Sequence, residues 1–162
     1  MAERTVVHDT IVTDRTYDRS PERVFAAWRD PAIKREWFAE GDGWQVEEYG
    51  LDFRVGGREH GRFRGGDGAE TRNETVYLDI VADRRIVMAY TMAIDGAIIS
   101  ASLGTVEFEA SGTGTRLVYT EQAAFFDGAD GPSSRTQGWR ALLASLAEML
   151  GRKVREGRRE TP

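Results

Sequence analysis

No cysteine occurs among the 162 residues, so neither a disulfide framework nor a thiol nucleophile is available. Histidine is almost as scarce: His8 and His60 are the only two, and two histidines this far apart without cysteine make no zinc spacing. No metal site and no cofactor is expected. No apolar run approaches the roughly 20 residues that a bilayer crossing requires, and the start, "MAERTVVHDTIVTDR", lacks the apolar core of a signal peptide. A cytoplasmic protein is expected, in which the sequon "NET" at Asn73 stays unused. Cationic charge is not in excess either. The formal charge of −5 argues against nucleic acid as a partner, because a phosphate backbone is held mainly by cationic side chains. Only "RKVREGRRE" is locally basic, and it reads as the solvated end of a helix, where cations suit the macrodipole. Neither a G-x-S-x-G elbow, nor an internal repeat, nor a low-complexity stretch is present.

What remains is a soluble composition, 40 % hydrophobic and 30 % charged, in a chain of single-domain length. One domain over 1–162 is expected, its core about 10–150 and a basic helix end or tail over 151–162. The segment "TIVTDRTYD" alternates as a strand does, with Ile11, Thr13, Arg15 and Tyr17 on one face. "SPERVFAAW" then starts a helix in the preferred manner, Ser20 as N-cap and Pro21 in the first turn, and "DP" at Asp30 repeats the signal for a second short helix carrying Ile33 and Trp37.

From Val46 to Glu121 the chain reads as an antiparallel meander punctuated by "GGDG" at Gly65, "DG" at Asp95 and "SGTGT" at Ser111. Its clearest face is Ile86, Met88, Tyr90, Met92 and Ile94, alternating with smaller residues. Val106 and Phe108 oppose Glu107 and Glu109, so one side of the sheet is wet. Finally Trp139, Leu142, Leu143, Leu146, Leu150 and Val154 recur at helical spacing, and the helix they define, about 33 Å long over some 22 residues, is expected to lie across the sheet.

The stretch "LDFRVGGREHGRFRGGDGAE" invites a phosphate-cradle reading, but such a loop must join a strand to a helix. Here more strand follows, so Gly56 and Gly57 are expected to mark a bulge or sharp bend. Without a bulge, Glu59, Gly61 and Phe63 share the face of Phe53 and Val55, which leaves His60 on the other side. His60 is read as exposed or hydrogen-bonded, with proton transfer as the alternative.

Among the acidic residues Glu121 stands out, because it follows Leu117 and Tyr119 on the inward parity, as Arg15 follows Ile11. A charge buried there needs a partner or a water-filled space. The readings are an Arg15–Glu121 contact, exposure at the strand ends, or polar groups inside a ligand cavity. Aromatic residues are numerous for one sheet and one helix to cover, and Gly138 directly before Trp139 removes a side chain where the helix faces the sheet, leaving room for a groove.

The segments "RTYDRSPERVFAAWRDPAIKREWF", "LDFRVGGREHGRF" with "GGDG", "VYLDIVADRRIVMAYT", "GTRLVYTEQAAFF" and "GWRALLASLAEML" together resemble the bacterial homologues of the activator of heat shock protein 90 ATPase, in the START-like superfamily that also holds polyketide cyclases. The resemblance covers about Thr10 to Leu150. It implies an α+β helix-grip fold, with a curved antiparallel sheet of six or seven strands around the long C-terminal helix and two short helices after the first strand.

It also implies a cavity for an apolar small molecule or lipid, at the positions Trp37, Phe38, Phe53, Phe63, Tyr90, Met92, Tyr119, Glu121, Phe125, Trp139 and Leu142. Arg15, His60 or Glu121 would orient the guest's polar end. Binding without catalysis is the leading expectation. The alternatives are a cyclase- or hydrolase-like activity with Glu121 or His60 as general base, and a chaperone-activating interaction module. The eukaryotic activator also uses a separate N-terminal domain, for which these residues hold no counterpart. Expected partners are thus an apolar ligand, with a second copy of the chain or a chaperone as further candidates, and no membrane.

Overall fold

A computed structural model describes residues 4–41 and 43–159, with side chains as far as residue 151. Seven strands form one antiparallel sheet: β1 (Val6–Tyr17), β2 (Trp44–Leu51), β3 (Arg58–Gly65), β4 (Glu70–Val81), β5 (Arg85–Ile94), β6 (Ala97–Ser111) and β7 (Gly114–Phe126). Their order across the sheet is β1-β7-β6-β5-β4-β3-β2, so β2 to β7 are a simple meander and β1 closes onto its last strand. Helices α1 (Pro21–Arg29) and α2 (Pro31–Lys34) follow β1, and α3 (Pro132–Arg159) ends the described chain. The side chains of Val154 and of the basic stretch, and residues 160–162, lie outside the described set.

Both helix starts follow from their caps. The Ser20 hydroxyl accepts from the Arg23 amide, and Asp30 Oδ1 accepts from the amides of Ala32 and Ile33, with proline in each first turn. The chain then widens into a π-helical turn over Arg35–Ala39, closed by the Glu40 amide on the Arg35 carbonyl at 2.9 Å. That extra residue swings Trp37 inward and sets Phe38 beside it.

The inner face of the sheet and these helices share one core. Val24, Trp28, Trp37, Ile86, Val106, Leu117, Tyr119, Leu143 and Leu146 are all buried in it. Each such apolar side chain contributes about 1.5–3 kcal/mol by leaving water. Helix α3 runs along β1 and the π turn, pinned where the Tyr17 hydroxyl donates to the Leu143 carbonyl at 2.9 Å.

Of the two expectations for the double glycine, bulge or sharp bend, the structure shows the bend. It closes the β2–β3 hairpin: Gly56 adopts φ +82, the Gly57 amide bonds the Arg54 carbonyl, and Val55 is exposed at the tip. From Arg58 the strand alternates as expected, Glu59, Gly61 and Phe63 buried and His60 on the other side. No helix among the described residues is long and apolar enough to cross a membrane.

Candidate binding site

Between the sheet and the N-terminal half of α3 lies a cavity of about 630 Å³. It opens between two exposed borders, Gly41, Gly43 and Trp44 at the start of β2 and Ser134, Gly138 and Ala141 on α3. Its walls are largely apolar and aromatic: Trp37 and Phe38 from the π turn, Phe63 from β3, Tyr90 and Met92 from β5, Trp139 and Leu142 from α3. Gly138 borders the opening, and a Cβ built there would meet nothing within 4 Å. Trp139 is fixed by stacking on Tyr119 at 3.9 Å between ring centroids, with Trp28 behind it at 6.2 Å.

Two buried polar clusters flank this space. In the first, Glu121 of β7 is fully buried and meets Arg135 of α3, with Oε2 at 2.7 Å from Nη1. The same oxygen accepts from the Ser102 hydroxyl at 2.8 Å; Oε1 accepts from the Tyr119 hydroxyl at 2.6 Å, from Trp139 Nε1 at 3.1 Å, and from the Tyr90 hydroxyl. Arg135 also donates to Ser100 and to Asp130, each at 2.7 Å, and its guanidinium lies over the Phe125 ring. Five donors thus satisfy one carboxyl, and one guanidinium ties α3 to β6 and β7.

Burial works against the charge on Arg135, but Tyr90, Glu121 and Asp130 outweigh it and hold its pKa above the ordinary value. Burial likewise pushes Asp130 up, yet bonds from Ser134, the Gly131 amide and Arg135 hold its carboxyl below the usual range. Burial raises both Tyr90 and Tyr119 well above an ordinary phenol, with Glu121 adding to it.

In the second cluster Lys34, at the end of α2, donates to Glu59 Oε1 at 2.8 Å and to the Tyr77 hydroxyl at 3.1 Å. Tyr77 and Tyr49 in turn donate to the two oxygens of Glu59, at 2.9 and 2.6 Å. Burial pulls the Lys34 pKa below that of an ordinary lysine, with Glu59 opposing. Both charged residues line the cavity.

Of the residues singled out in the sequence, Trp37, Phe38, Phe63, Tyr90, Met92, Trp139 and Leu142 meet around the cavity. Glu121 and Tyr119 stand behind that wall, and Phe125 is buried under Arg135. Phe53 packs away from the cavity, edge-on to Phe25 and Tyr77. Arg15 does not meet Glu121. It lies exposed near the end of an edge strand, beside a small cleft under the far part of α3, so the counterion of Glu121 is Arg135 instead.

His60 faces away from the cavity, 3.0 Å from Glu48, and packs on Gly50, where a Cβ would meet the imidazole at 2.5 Å. His8 is exposed on β1. Arg135, Lys34 and Glu59 join the site in addition to the residues singled out in the sequence. Arg135 precedes Trp139 by four residues, one helical turn on the same face, and Glu59 shares the inward parity of Phe63. Among the described residues no cluster of histidine and acidic side chains is placed to hold a metal ion.

A seven-stranded sheet curved about a C-terminal helix, with a cavity enclosed between them, defines a START-like helix-grip domain. The chain matches the family model of the activator of Hsp90 ATPase homolog 1-like proteins over residues 18–151, and it belongs to that family. No curated protein matches it in sequence.

Among solved structures, a Rhizobium leguminosarum protein is 43 % identical, with TM-score 0.89 over 93 % of this chain and 99 % of its own. A Rhizobium loti protein is 51 % identical, with TM-score 0.83 over 90 % of this chain and 99 % of its own. An AHSA1-like protein of Aeromonas hydrophila, at 23 % identity, shares the fold, with TM-score 0.69 over 90 % of this chain and 94 % of its own.

Proposed function

We propose that this protein binds an apolar, ring-bearing small molecule in the cavity between the sheet and α3. The observation that carries the reading is the cavity itself: about 630 Å³, walled by aromatic rings and open at Gly138. That volume falls within the roughly 300–1,000 Å³ of small-molecule sites, whose walls are mostly apolar with a few placed polar groups. Burial of the guest's apolar surface supplies about 25 cal/mol per Å², less the cost of immobilising it.

Catalysis by Glu121 is the weaker reading. A general base needs a lone pair directed at the substrate, whereas the oxygens of Glu121 are occupied by Tyr90, Tyr119, Trp139, Ser102 and Arg135. The cluster instead fixes the helix that roofs the cavity.

A fluorescence titration with 2-naphthol tests the reading, because Trp37, Trp44 and Trp139 line the cavity. Saturable quenching at one site per chain is expected. Emission that follows only the linear decline of collisional quenching would contradict it.

A further inference from the structure

Of the 22 lysines and arginines in the chain, only Lys34 and Lys153 are lysines. One of these two is 1 % exposed in the wall of the cavity. Arginine cannot give up its proton in a protein, whereas a buried lysine can. The chain therefore places its rare deprotonatable cation in the wall of the space that receives the guest. A carboxyl able to take the proton, Glu59, is 2.8 Å from Nζ, and Tyr49 and Tyr77 hold that carboxyl in position. Nζ also lies near the rings of Phe38, Trp28 and Tyr77, with centroids 4.6, 5.3 and 5.8 Å away; of these Phe38 is half-buried and itself lines the cavity. The amine therefore lies against a ring that borders the guest space.

We infer that Lys34 captures a carbonyl-bearing guest covalently, as an imine. The inference rests on the cavity admitting an apolar guest. Glu59 takes one proton from the ammonium, and the freed nitrogen lone pair adds to the carbonyl carbon. A second proton passes from nitrogen to the carbonyl oxygen, giving a carbinolamine. Glu59 then returns its proton to that hydroxyl, which leaves as water as the carbon–nitrogen double bond forms. Ammonium and carbonyl become iminium and water, with no change of oxidation state. The positive charge stays on nitrogen facing Glu59, so the buried ion pair survives the reaction. That conservation of charge matters, because a lone buried carboxylate would be strongly destabilising.

The test incubates the intact folded protein with 2-naphthaldehyde and sodium cyanoborohydride, which reduces an iminium to a stable amine. Intact mass spectrometry and peptide mapping then locate the adduct, and tryptophan quenching reports reversible binding of the same aldehyde without reductant. One adduct on Lys34, suppressed by excess 2-naphthol and formed faster in Phe38→Ala, is expected. Lys34→Met should lose it; mapping on the unmodified sequence decides the matter even if that variant fails to fold. Quenching by the aldehyde with adduct confined to Lys153 or the α-amino group overturns the imine and leaves the cavity reading standing. No quenching by either naphthalene compound overturns both.

Discussion

Arg135 and Glu121, fourteen residues apart in sequence, form a 2.7 Å ion pair beneath the helix that covers the cavity, 6 % and 0 % exposed. The pair joins α3 to β7 at the point where the helix first crosses the sheet. Its value lies less in net stability than in geometry, since taking two charges out of water costs about as much as their attraction returns.

Breaking the pair from one side is therefore predicted to be costly. Glu121→Ala leaves the Arg135 guanidinium buried with only Asp130 as counterion, and a loss of about 3–5 kcal/mol in urea unfolding is expected. The double variant Glu121→Met with Arg135→Met is predicted to lose clearly less than the sum of the two single changes. Additive losses would show that the two residues act independently.

Stability should fall steeply in alkali. All five tyrosines, Tyr17, Tyr49, Tyr77, Tyr90 and Tyr119, have pKa values raised above 10.0, by burial first in each case. Below pH 10 folded and unfolded chains both hold these protons, so the contribution is fully present. Above it the unfolded chain releases them and the folded one does not, and each tyrosine then removes about 1.4 kcal/mol per pH unit.

Lys34, lowered from 10.5, acts oppositely: stability rises with pH in the window just below 10.5, one group against five. Tyrosinate absorbance is predicted to appear only together with the loss of near-ultraviolet circular dichroism. Ionisation near pH 10 in a folded chain would show the phenols to be accessible.

Gly138 offers a change that separates binding from folding. It sits in a helix, its Cβ position is empty, and it borders the cavity mouth. Gly138→Leu is predicted to raise thermal stability, since glycine costs a helix interior about 1 kcal/mol, while weakening 2-naphthol binding at least about tenfold, a 1.4 kcal/mol penalty. Unchanged affinity would place the guest elsewhere.

Much of this architecture is legible in the residues themselves. The caps at Ser20 and Asp30 and the glycine turns at Gly65, Asp95 and Ser111 mark element ends because their side chains or positive φ leave the backbone few alternatives. The β4–β5 turn carries no such mark. Asp83 takes φ +64 there without a glycine, so "ADRR" passes for strand.

Glu121 is conspicuous because parity alone puts it inward, but its counterion depends on where α3 docks. Local pattern does not encode that, and Arg15, matched by parity, lies in a different strand near the sheet's open edge. Lys34 stays hidden for a similar reason: the π turn that follows it changes the helical phase, so its position one residue after Ile33 does not reveal a buried face.

The central claim is that a guest sits between sheet and helix, and the four tryptophan indole N–H signals report on it most directly. In a ¹⁵N–¹H spectrum titrated with 2-naphthol, Trp44 and Trp139, at the mouth and roof, should shift progressively and saturate together, with Trp37 following. Trp28 lies outside the lining and should move least. Four indole signals unmoved at saturating naphthol, or shifts confined to Trp28, would contradict the account.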